Sequence, residues 1–273
     1  MKCPLCNAHT MKVAYSGNIR TGITADIVEC RVCKAQMYAD ALKIGDYQSG
    51  KYRDEVGHEQ HGHTIDYLIP FKEFNGKTVL DIGAGDGRYM DLCASHGANV
   101  IGIEPDYREL QLLSRYPMYD SLESAKDVRA DIILCLTVIE HVENPIEFLR
   151  QAGNLLKDGG RMIVSTPNRE SLLMKLLDFD FCAWFYRPAH RWYWDQFSLA
   201  QTFAMAGLQP TMNLTFDPYG FSNFIHWLKE KKPGKNWKCG LDDLPMDFAL
   251  RMWTMDQGLG FYLLNIVTKG KVQ

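Results

Sequence analysis

Short apolar runs alternate with segments of helical periodicity through the middle of the chain, from about residue 77 to residue 165. Strands are predicted at 77–82, 99–103, 131–136 and 161–165, with a weak strand at 118–119. Helices are predicted between them at 86–96, 106–116 and 146–156. Strands that alternate with helices at this spacing indicate an α/β fold, in which a parallel sheet carries helices on both faces.

The alternation becomes irregular after the last of these strands. Residues 169–197 are rich in Trp, Tyr and Phe, and they form either an apolar substrate wall or an ordinary core helix. A further helix and two strands are predicted at 198–206, 211–216 and 261–268. Ser198 is the predicted N-cap of this helix, and Gly207 ends it. The segment 217–259 is a long insert, which acts either as a lid or as a partner surface.

Composition and charge narrow the class of protein. The 273-residue chain is 46% hydrophobic and 12% aromatic, enough to bury the core of one large domain and a small module. No apolar run approaches the ~20 residues of a membrane helix, and none follows Met1, so we expect a cytoplasmic protein without a membrane partner. The net charge is −3. Because nucleic-acid binders are usually basic, we do not expect a nucleic-acid partner.

Four of the eight cysteines form two Cys-x-x-Cys pairs, Cys3 with Cys6 and Cys30 with Cys33. Two such turns supply the four sulfurs of a tetrahedral site that suits Zn²⁺ and is closed to substrate, so a structural role is expected. Short strands at 13–15 and 27–29 complete a zinc-ribbon pattern. The alternatives are iron in the same cage, or thiols that stay reduced or act in redox chemistry.

A glycine-rich turn follows the strand at 77–82. Three glycines stand in the run Val-Leu-Asp-Ile-Gly-Ala-Gly-Asp-Gly at 79–87. Glycine allows the backbone to turn sharply and to approach a ligand closely. Glu104 ends the next strand about 20 residues further on, where a carboxylate can accept hydrogen bonds from ribose hydroxyls. These features predict a nucleoside pocket, and the Gly-x-Gly-x-Gly spacing differs from that of NAD-dependent oxidoreductases.

Over about residues 60–210 the sequence resembles the class I S-adenosylmethionine (SAM)-dependent methyltransferases. Besides the glycine run, the resemblance rests on Ile-Glu-Pro-Asp at 103–106, Leu-Thr-Val-Ile-Glu-His-Val at 136–142, Leu-Leu-Lys-Asp-Gly-Gly at 155–160 and Ser-Thr-Pro-Asn at 165–168. It implies SAM as cofactor and a Rossmann-like, seven-stranded and mostly parallel sheet. The run at 261–268 can supply the final antiparallel strand of that fold.

The resemblance also implies which residues bind the cofactor. They are Asp81, Gly83, Ala84, Gly85, Glu104, Pro105, Asp120, Ser121, Leu122, Leu136 and Thr137. Asp81 and the glycines would line the methionine and ribose portion, and Glu104 would hold the ribose. Residues 120–122 would lie near the adenine, and Leu136 and Thr137 under the sulfonium.

The predicted domain organisation combines these patterns. Residues 1–45 form a small zinc-binding module, and residues 46–75 form a linker with a leading helix. Residues 76–273 form the methyltransferase domain, with the insert at 217–259. The sequence makes no prediction of oligomeric state.

Two histidines are the candidates for catalysis. An alcohol acceptor needs proton removal, and histidine titrates near neutral pH. His190 stands in an aromatic context before a helix and a glycine, where small-molecule members of the family often carry a histidine. His141 comes after the strand at 131–136, beside the cofactor end of the sheet. The alternatives are a satisfied structural histidine at 190 and a residue that braces the following helix at 141.

Two narrower resemblances concern the methyl acceptor. The segment at 140–145 resembles the ubiquinone-biosynthesis O-methyltransferases, although Thr137 stands where that family has its first acidic residue. A four-cysteine module before the catalytic domain resembles the deoxysugar C-methyltransferases, a family of sugar methyltransferases. We therefore expect methyl transfer to a small molecule, with a hydroxyl of a sugar or sugar nucleotide as acceptor. The alternatives are an RNA methyltransferase that uses the zinc ribbon for recognition, and a catalytically silent scaffold that binds SAM.

Overall fold

The structure is a computed structural model that describes residues 1–20, 22–39, 68–233 and 245–270. Its strands are β1 (Met11–Asn18), β2 (Thr24–Cys30), β3 (Gln36–Tyr38), β4 (Thr78–Ile82), β5 (Asn99–Ile103), β6 (Met118–Tyr119), β7 (Ala130–Leu136), β8 (Leu156–Pro167), β9 (Trp192–Tyr193), β10 (Leu208–Phe216) and β11 (Tyr262–Lys269). Its helices are α1 (Arg88–Ser95), α2 (Tyr107–Leu112), α3 (Pro145–Asn154), α4 (Leu172–Leu177), α5 (Phe179–Phe185), α6 (Gln196–Met205), α7 (Gly220–Glu230) and α8 (Pro245–Asp256). A short 3-10 turn at Phe71–Phe74 precedes β4.

Among the described residues, seven strands form the larger sheet, in the order β10-β11-β8-β7-β4-β5-β6. The pairs β4–β5, β5–β6, β4–β7 and β7–β8 are parallel. This confirms the α/β fold with a seven-stranded, mostly parallel sheet. From β4 the chain adds strands first on one side and then on the other. In open α/β sheets, ligands bind at such a switch point, outside the carboxyl ends of the strands.

The central strands are buried because their side chains are apolar on both faces. Val79 and Leu80 in β4, and Ile133 and Leu134 in β7, have no exposed surface. Continuous apolar strands of this kind are typical of parallel sheets that are covered by helices. The core of the larger sheet therefore lies where the sequence pattern predicts it.

Polar caps decide where two of the helices begin. Asn144 accepts a hydrogen bond from Glu147 N–H at 3.2 Å at the start of α3. At the start of α6, Asp195 accepts from Ser198 N–H at 2.6 Å, and the Ser198 hydroxyl accepts from Asp195 N–H at 3.0 Å. Ser198 is thus the third helical residue of a reciprocal capping box. The prediction of Ser198 as the N-cap is wrong, and Asp195 has that role.

Most of the described elements lie within about three residues of their predicted limits, and two differ by more than that at one end. α2 ends at Leu112 instead of Tyr116, because the chain continues in turns. β8 begins at Leu156 instead of residue 161, because Leu156 pairs with Ala130 before the register between the two strands shifts. Strand pairing therefore overrides the helical pattern at the end of the 146–156 segment.

The smaller sheet has the strand order β1-β2-β3-β9. β1 and β2 pair antiparallel, in the hairpin that the zinc-ribbon pattern predicts. In the next pairing, Met37 of β3 lies opposite Trp192 of β9, and Gln36 lies opposite Tyr193. The aromatic segment after β8 is therefore joined by strand pairing to the N-terminal hairpin.

The chain divides into two compact units. The first comprises 1–43, 166–199 and 213–264, and the second comprises 44–165, 200–212 and 265–273. The first unit thus combines the N-terminal hairpin with segments that follow β8, and the insert contributes α7 and α8 to it. The domain ranges drawn from the sequence stay a prediction, and their linker residues 46–67 lie outside the described residues.

The helices are short. Within the described ranges, none is long and apolar enough to cross a membrane.

Candidate functional site

The glycine loop (residues 83–87) after β4 needs glycine for two separate reasons. Gly83 has a φ of +76°, a left-handed conformation that residues with a Cβ rarely adopt. A Cβ on Gly83 would also lie 2.5 Å from Cγ2 of Val138, which follows β7. The loop therefore packs its backbone directly against the residue that leaves the neighbouring strand.

The carboxylate of Glu104 joins this loop to the end of β5. Its Oε2 accepts a hydrogen bond from Gly85 N–H at 2.8 Å, and its Oε1 accepts one from Asp106 N–H at 2.9 Å. Glu104 is buried. Each carboxylate oxygen has a second lone pair, so the same group is able to accept ribose hydroxyls while it holds the loop. The structure therefore has the acidic group that a nucleoside pocket requires.

Asp81 is buried in β4, just before the loop. Burial, together with the negative charges of Glu104 and Asp86, raises the pKa of Asp81 to about 7. A cationic ligand beside this carboxyl group would favour its charged form. SAM carries positive charge on its sulfonium and its amino group, so Asp81 fits the role that the resemblance implies.

The loop after β6 carries an exposed polar cluster. Asp120 Oδ1 accepts hydrogen bonds from the hydroxyls of Ser124 at 2.7 Å and Ser121 at 2.8 Å. These hydroxyls lower the pKa of Asp120, so that its carboxylate is charged at neutral pH. Leu122, beside it, is half-buried. The loop thus combines an apolar side chain with hydrogen-bond acceptors, a combination that suits an adenine ring.

Thr137 follows β7 in a backbone conformation that is unusual for a β-branched residue. Its φ is +55°. Its N–H donates to the carbonyl of Ser165 at 2.9 Å, and its hydroxyl donates to the carbonyl of Leu136 at 2.7 Å. Strained residues of this kind cluster at ligand sites. The strain lies at the point where the resemblance implies the sulfonium.

The residues implied to bind the cofactor end or follow four neighbouring strands, β4, β5, β6 and β7. They therefore share one edge of the sheet, named here the carboxyl edge. Two further residues at this edge are not predicted from the sequence: Val138, which packs against Gly83, and Asp106, whose backbone N–H donates to Glu104. The Pro-Asp pair before a helical pattern is a capping signal that could have indicated Asp106. No local signal marks Val138.

Four sulfurs come together beside the N-terminal hairpin. The Sγ atoms of Cys3, Cys6, Cys30 and Cys33 all lie within 4.8 Å of one another, with 3.6 Å between Cys3 and Cys33 and 3.5 Å between Cys6 and Cys30. A disulfide bond would be about 2 Å long. Four sulfurs bound tetrahedrally to Zn²⁺ at about 2.3 Å lie about 3.8 Å from one another. The hydrogen bond between the Cys3 and Cys33 thiols lowers the pKa of Cys3 and raises that of Cys33, so without a metal ion Cys3 is the first of the two to become a thiolate.

The two Cys-x-x-Cys turns have the same backbone geometry. Asn7 N–H donates to the carbonyl of Cys3 at 2.9 Å, and Lys34 N–H donates to the carbonyl of Cys30 at 2.9 Å. Asn7 and Lys34 also share a left-handed φ, +60° and +62°. Two matching turns present two similar pairs of sulfurs, and this arrangement fits a four-sulfur cage for one metal ion.

The two candidate histidines belong to different compact units. His190 is 4% exposed and lies in the turn before β9, where its backbone N–H donates to the carbonyl of Arg187 at 3.0 Å. His141 is half-buried and lies in the turn after β7, where its backbone N–H donates to the carbonyl of Val138 at 2.9 Å. Their part in catalysis stays a prediction.

Arg169, which follows β8, is a further residue that is not predicted from the sequence. It is nearly buried and contacts the carboxylates of Glu29 and Asp195, which come from distant parts of the chain. A single arginine in an aromatic-rich segment has no local signal of such contacts.

Comparison with known proteins places these features in a family. A family model described as a methyltransferase domain matches residues 54–212. A ubiquinone biosynthesis O-methyltransferase from Azorhizobium caulinodans is 32% identical over 178 residues, which are 58% of this chain and 68% of that protein. A protein of the same name from Coxiella burnetii is 36% identical over 116 residues, which are 38% of this chain and 50% of that protein.

A solved structure shows the same fold. The SAM-dependent methyltransferase from Archaeoglobus fulgidus matches with a TM-score of 0.53 and 18% identity, over 82% of this chain and all of that one. The family match covers more than half of the chain and includes the glycine loop, Glu104 and the end of β7. The chain therefore belongs to the methyltransferase domain family, and the protein is a SAM-dependent methyltransferase.

Proposed function

We propose that the protein transfers the methyl group of SAM to a hydroxyl oxygen of a small molecule. The observation that carries this proposal is the carboxyl edge, where Asp81, the glycine loop and Glu104 combine acceptors for ribose with a carboxyl group for a cation. The similar proteins from Azorhizobium caulinodans and Coxiella burnetii are named as O-methyltransferases, and this supports oxygen as the acceptor atom.

The cofactor residues act through hydrogen bonds, charge and backbone shape. Glu104 accepts the ribose hydroxyls, and Asp81 attracts the cationic methionine end. Asp120 accepts from the adenine amino group, with Ser121 orienting its carboxylate. Leu136 and Thr137 line the sulfonium end, while Ala84, Pro105 and Leu122 add apolar contacts.

The bound cofactor supplies an electrophilic methyl group, so the protein has to supply alignment and a base.

His190 is our first candidate for the base and His141 the second. The acceptor hydroxyl must lose its proton as the new oxygen–carbon bond forms, and a neutral imidazole nitrogen is able to take that proton. His190 is nearly buried, so its ring has a defined position from which to act. If its role is only structural, replacement would lower stability without a specific loss of turnover.

For the acceptor we propose a hydroxyl of a sugar or sugar nucleotide. The four-cysteine cluster beside the N-terminal hairpin supports a sugar as acceptor, because the deoxysugar C-methyltransferases that the sequence resembles carry such a module. A second candidate is a hydroxyl on the ring of a quinone precursor, which the names of the similar proteins favour. The two candidates differ in polarity and are separable by experiment.

The test is turnover with methyl-labelled SAM and a panel of nucleotide sugars, hydroxylated quinone precursors and bulk RNA. We expect label in a nucleotide sugar, with a mass increase of one methyl group. His190→Gln should lose turnover while retaining SAM binding, and the exposed His9→Gln serves as a matched control. Label in the quinone precursors would establish the second candidate instead. Label in RNA alone, or SAM binding without any turnover, would contradict both.

We also propose that Cys3, Cys6, Cys30 and Cys33 hold one structural Zn²⁺. The distances between the sulfurs and the paired turns support this metal, and the four-sulfur donor set leaves no position for substrate. We further propose that the protein acts in the cytoplasm, with 1–45 as the zinc-binding module, 46–75 as a linker and 76–273 as the catalytic domain.

A further inference from the structure

A cavity of about 610 Å³ lies within the first compact unit, and we name it the Arg169 cavity. Its walls come from β2, from the second Cys-x-x-Cys turn, from the segment after β8 and from the start of α6. None of its lining residues is among those implied to bind SAM or metal. Its volume is in the range of small-molecule sites, about 300–1,000 Å³.

Arg169 organises one wall of the cavity. Its guanidinium contacts the carboxylates of Glu29 at 3.4 Å, of Glu170 at 3.0 Å and of Asp195, and it donates to the carbonyl of Lys34 at 3.2 Å. Arg169 is 9% exposed, and its Nε has no hydrogen-bond partner among the described residues. Arg169 thus holds three carboxylates and a backbone carbonyl in fixed positions along this wall.

The three carboxylates of the cavity wall each have a cationic partner within the protein. Lys12 pairs with Glu29 at 3.0 Å, and Lys175 pairs with Glu170 at 2.6 Å. Asp195 pairs with Arg169 and caps α6. A cationic ligand would have to compete with one of these pairs, and an anionic ligand would face three carboxylates. A ligand hydroxyl would not have to compete in this way, because each carboxylate oxygen has more than one lone pair.

The start of α6 adds an aromatic surface. Phe197 lines the cavity and is 53% exposed, and the exposed amide of Gln196 lies beside it in the lining. The ammonium group of Lys34, also in the lining, forms no ion pair within the described ranges and is a further donor. An exposed ring beside planar polar groups suits a ligand with an apolar face and hydroxyl-bearing edges, as a pyranose has.

We propose that the Arg169 cavity binds a neutral saccharide unit. The carboxylates of its wall accept the hydroxyl hydrogens, the Lys34 ammonium and the Gln196 amide donate to the hydroxyl oxygens, and Phe197 packs against the C–H face. This binding site goes beyond methyl transfer, and its occupation does not depend on which hydroxyl is methylated.

The test is saturation-transfer NMR on the full chain with the methyl glycosides of glucose, galactose, mannose, rhamnose and fucose. Benzoate and spermidine serve as anionic and cationic comparison probes. We expect transfer to at least one glycoside, and an about tenfold weaker affinity in Phe197→Ala and in Gln196→Ala. Phe248→Ala is the matched control, because Phe248 is 69% exposed and does not line the cavity, and it should bind as the unchanged protein does.

Three results would overturn the proposal. They are transfer to none of the glycosides, glycoside binding that survives both cavity substitutions, and binding of benzoate or spermidine in place of a glycoside. Thermal unfolding of the same samples shows that each variant is folded. SAM binding separates the two proposals, because glycoside binding needs no cofactor and a failure of SAM binding would leave it unchanged.

Discussion

The carboxylate of Glu104 accepts a hydrogen bond from the N–H of Gly85 at 2.8 Å, so the end of β5 holds the turn that follows β4. The second oxygen accepts from Asp106 N–H, at the start of α2. One buried carboxylate therefore connects two loops of the carboxyl edge. This geometry gives a structural reason for an acidic residue about 20 positions after the glycines in the sequence. The reason holds whether or not the carboxylate also contacts ribose.

Glu104→Gln should weaken both the loop and the cofactor site. The amide has only one acceptor oxygen, so its NH₂ group would face a backbone N–H donor. We expect a loss of about 1–3 kcal/mol in the free energy of unfolding and a SAM affinity lower by about ten- to a hundredfold. Denaturant titration and calorimetry measure the two effects. The exposed Glu123→Gln removes the same charge and should change neither; equal SAM affinity in both variants would refute the role of Glu104.

Gly83→Ala tests the close packing of the glycine loop. The variant combines a left-handed alanine, which costs about 1–2 kcal/mol, with a Cβ 2.5 Å from Val138 Cγ2. Gly159→Ala is the control for the conformation alone, because Gly159 has a φ of +75° and open space around it. Denaturation midpoints should therefore fall further for Gly83→Ala than for Gly159→Ala. Val138→Ala should recover part of the difference in the double variant; no recovery would show that the clash is relieved in another way.

Asp81 should make stability depend on pH. Its folded-state pKa of about 7 lies above the ordinary value of 3.8, so the folded state binds the proton more tightly than the unfolded state. The stability contributed by protonated Asp81 is present below pH 3.8 and is lost as the pH rises to about 7, by at most about 1.4 kcal/mol per pH unit. Asp81→Asn should flatten this decline between pH 5 and 7 in denaturant titrations, and an unchanged slope would contradict the assignment.

Asp131 offers a comparison with the opposite sign. Lys157 and the N–H of Thr78 lower the pKa of Asp131. Its contribution is therefore present above the unfolded-state pKa and is lost as the pH falls through the lowered value. In denaturant titrations, Asp131→Asn should lower the free energy of unfolding most at neutral pH. Asp81→Asn should raise the free energy of unfolding at the same pH.

Arg169 should be among the most sensitive positions of the first compact unit. Its removal leaves the carboxylates of Glu29, Glu170 and Asp195 without their shared cation. We expect Arg169→Met to cost about 3–5 kcal/mol, and Arg169→Lys to recover only part because an ammonium cannot form the same fork. Arg150→Met is the control, because the exposed pair of Arg150 with Glu147 should contribute at most about 1 kcal/mol. Equal losses in urea titrations would contradict a central role for Arg169.

Metal removal should act on the N-terminal hairpin. We expect one Zn²⁺ per chain by elemental analysis, and a loss of this metal in Cys6→Ser but not in Cys182→Ser, which changes a cysteine outside the cluster. Chelation should increase amide exchange in β1 and β2, because the two turns that carry the sulfurs flank this hairpin. A metal content near zero in the freshly purified protein, or iron in place of zinc, would refute the assignment.

The sequence by itself determined the elements and motifs whose signals are local. β5 and β6 have the limits that the apolar pattern predicts, and the three glycines of the loop have the left-handed φ that a glycine-rich turn implies. Such signals suffice because a short apolar run, a glycine at positive φ or a Cys-x-x-Cys turn depends on residues only a few positions apart. The family resemblance added the seven-stranded sheet, which the structure confirms, and the roles at the carboxyl edge, which stay a prediction.

Tertiary structure alone decided which distant segments meet. It placed Val138 against Gly83, paired β9 with β3, began β8 at Leu156 and gathered Glu29 and Asp195 around Arg169. In each case the local pattern is compatible with several partners. The choice among them depends on the sum of burial, strand pairing and charge compensation over the folded chain, which no window of the sequence contains.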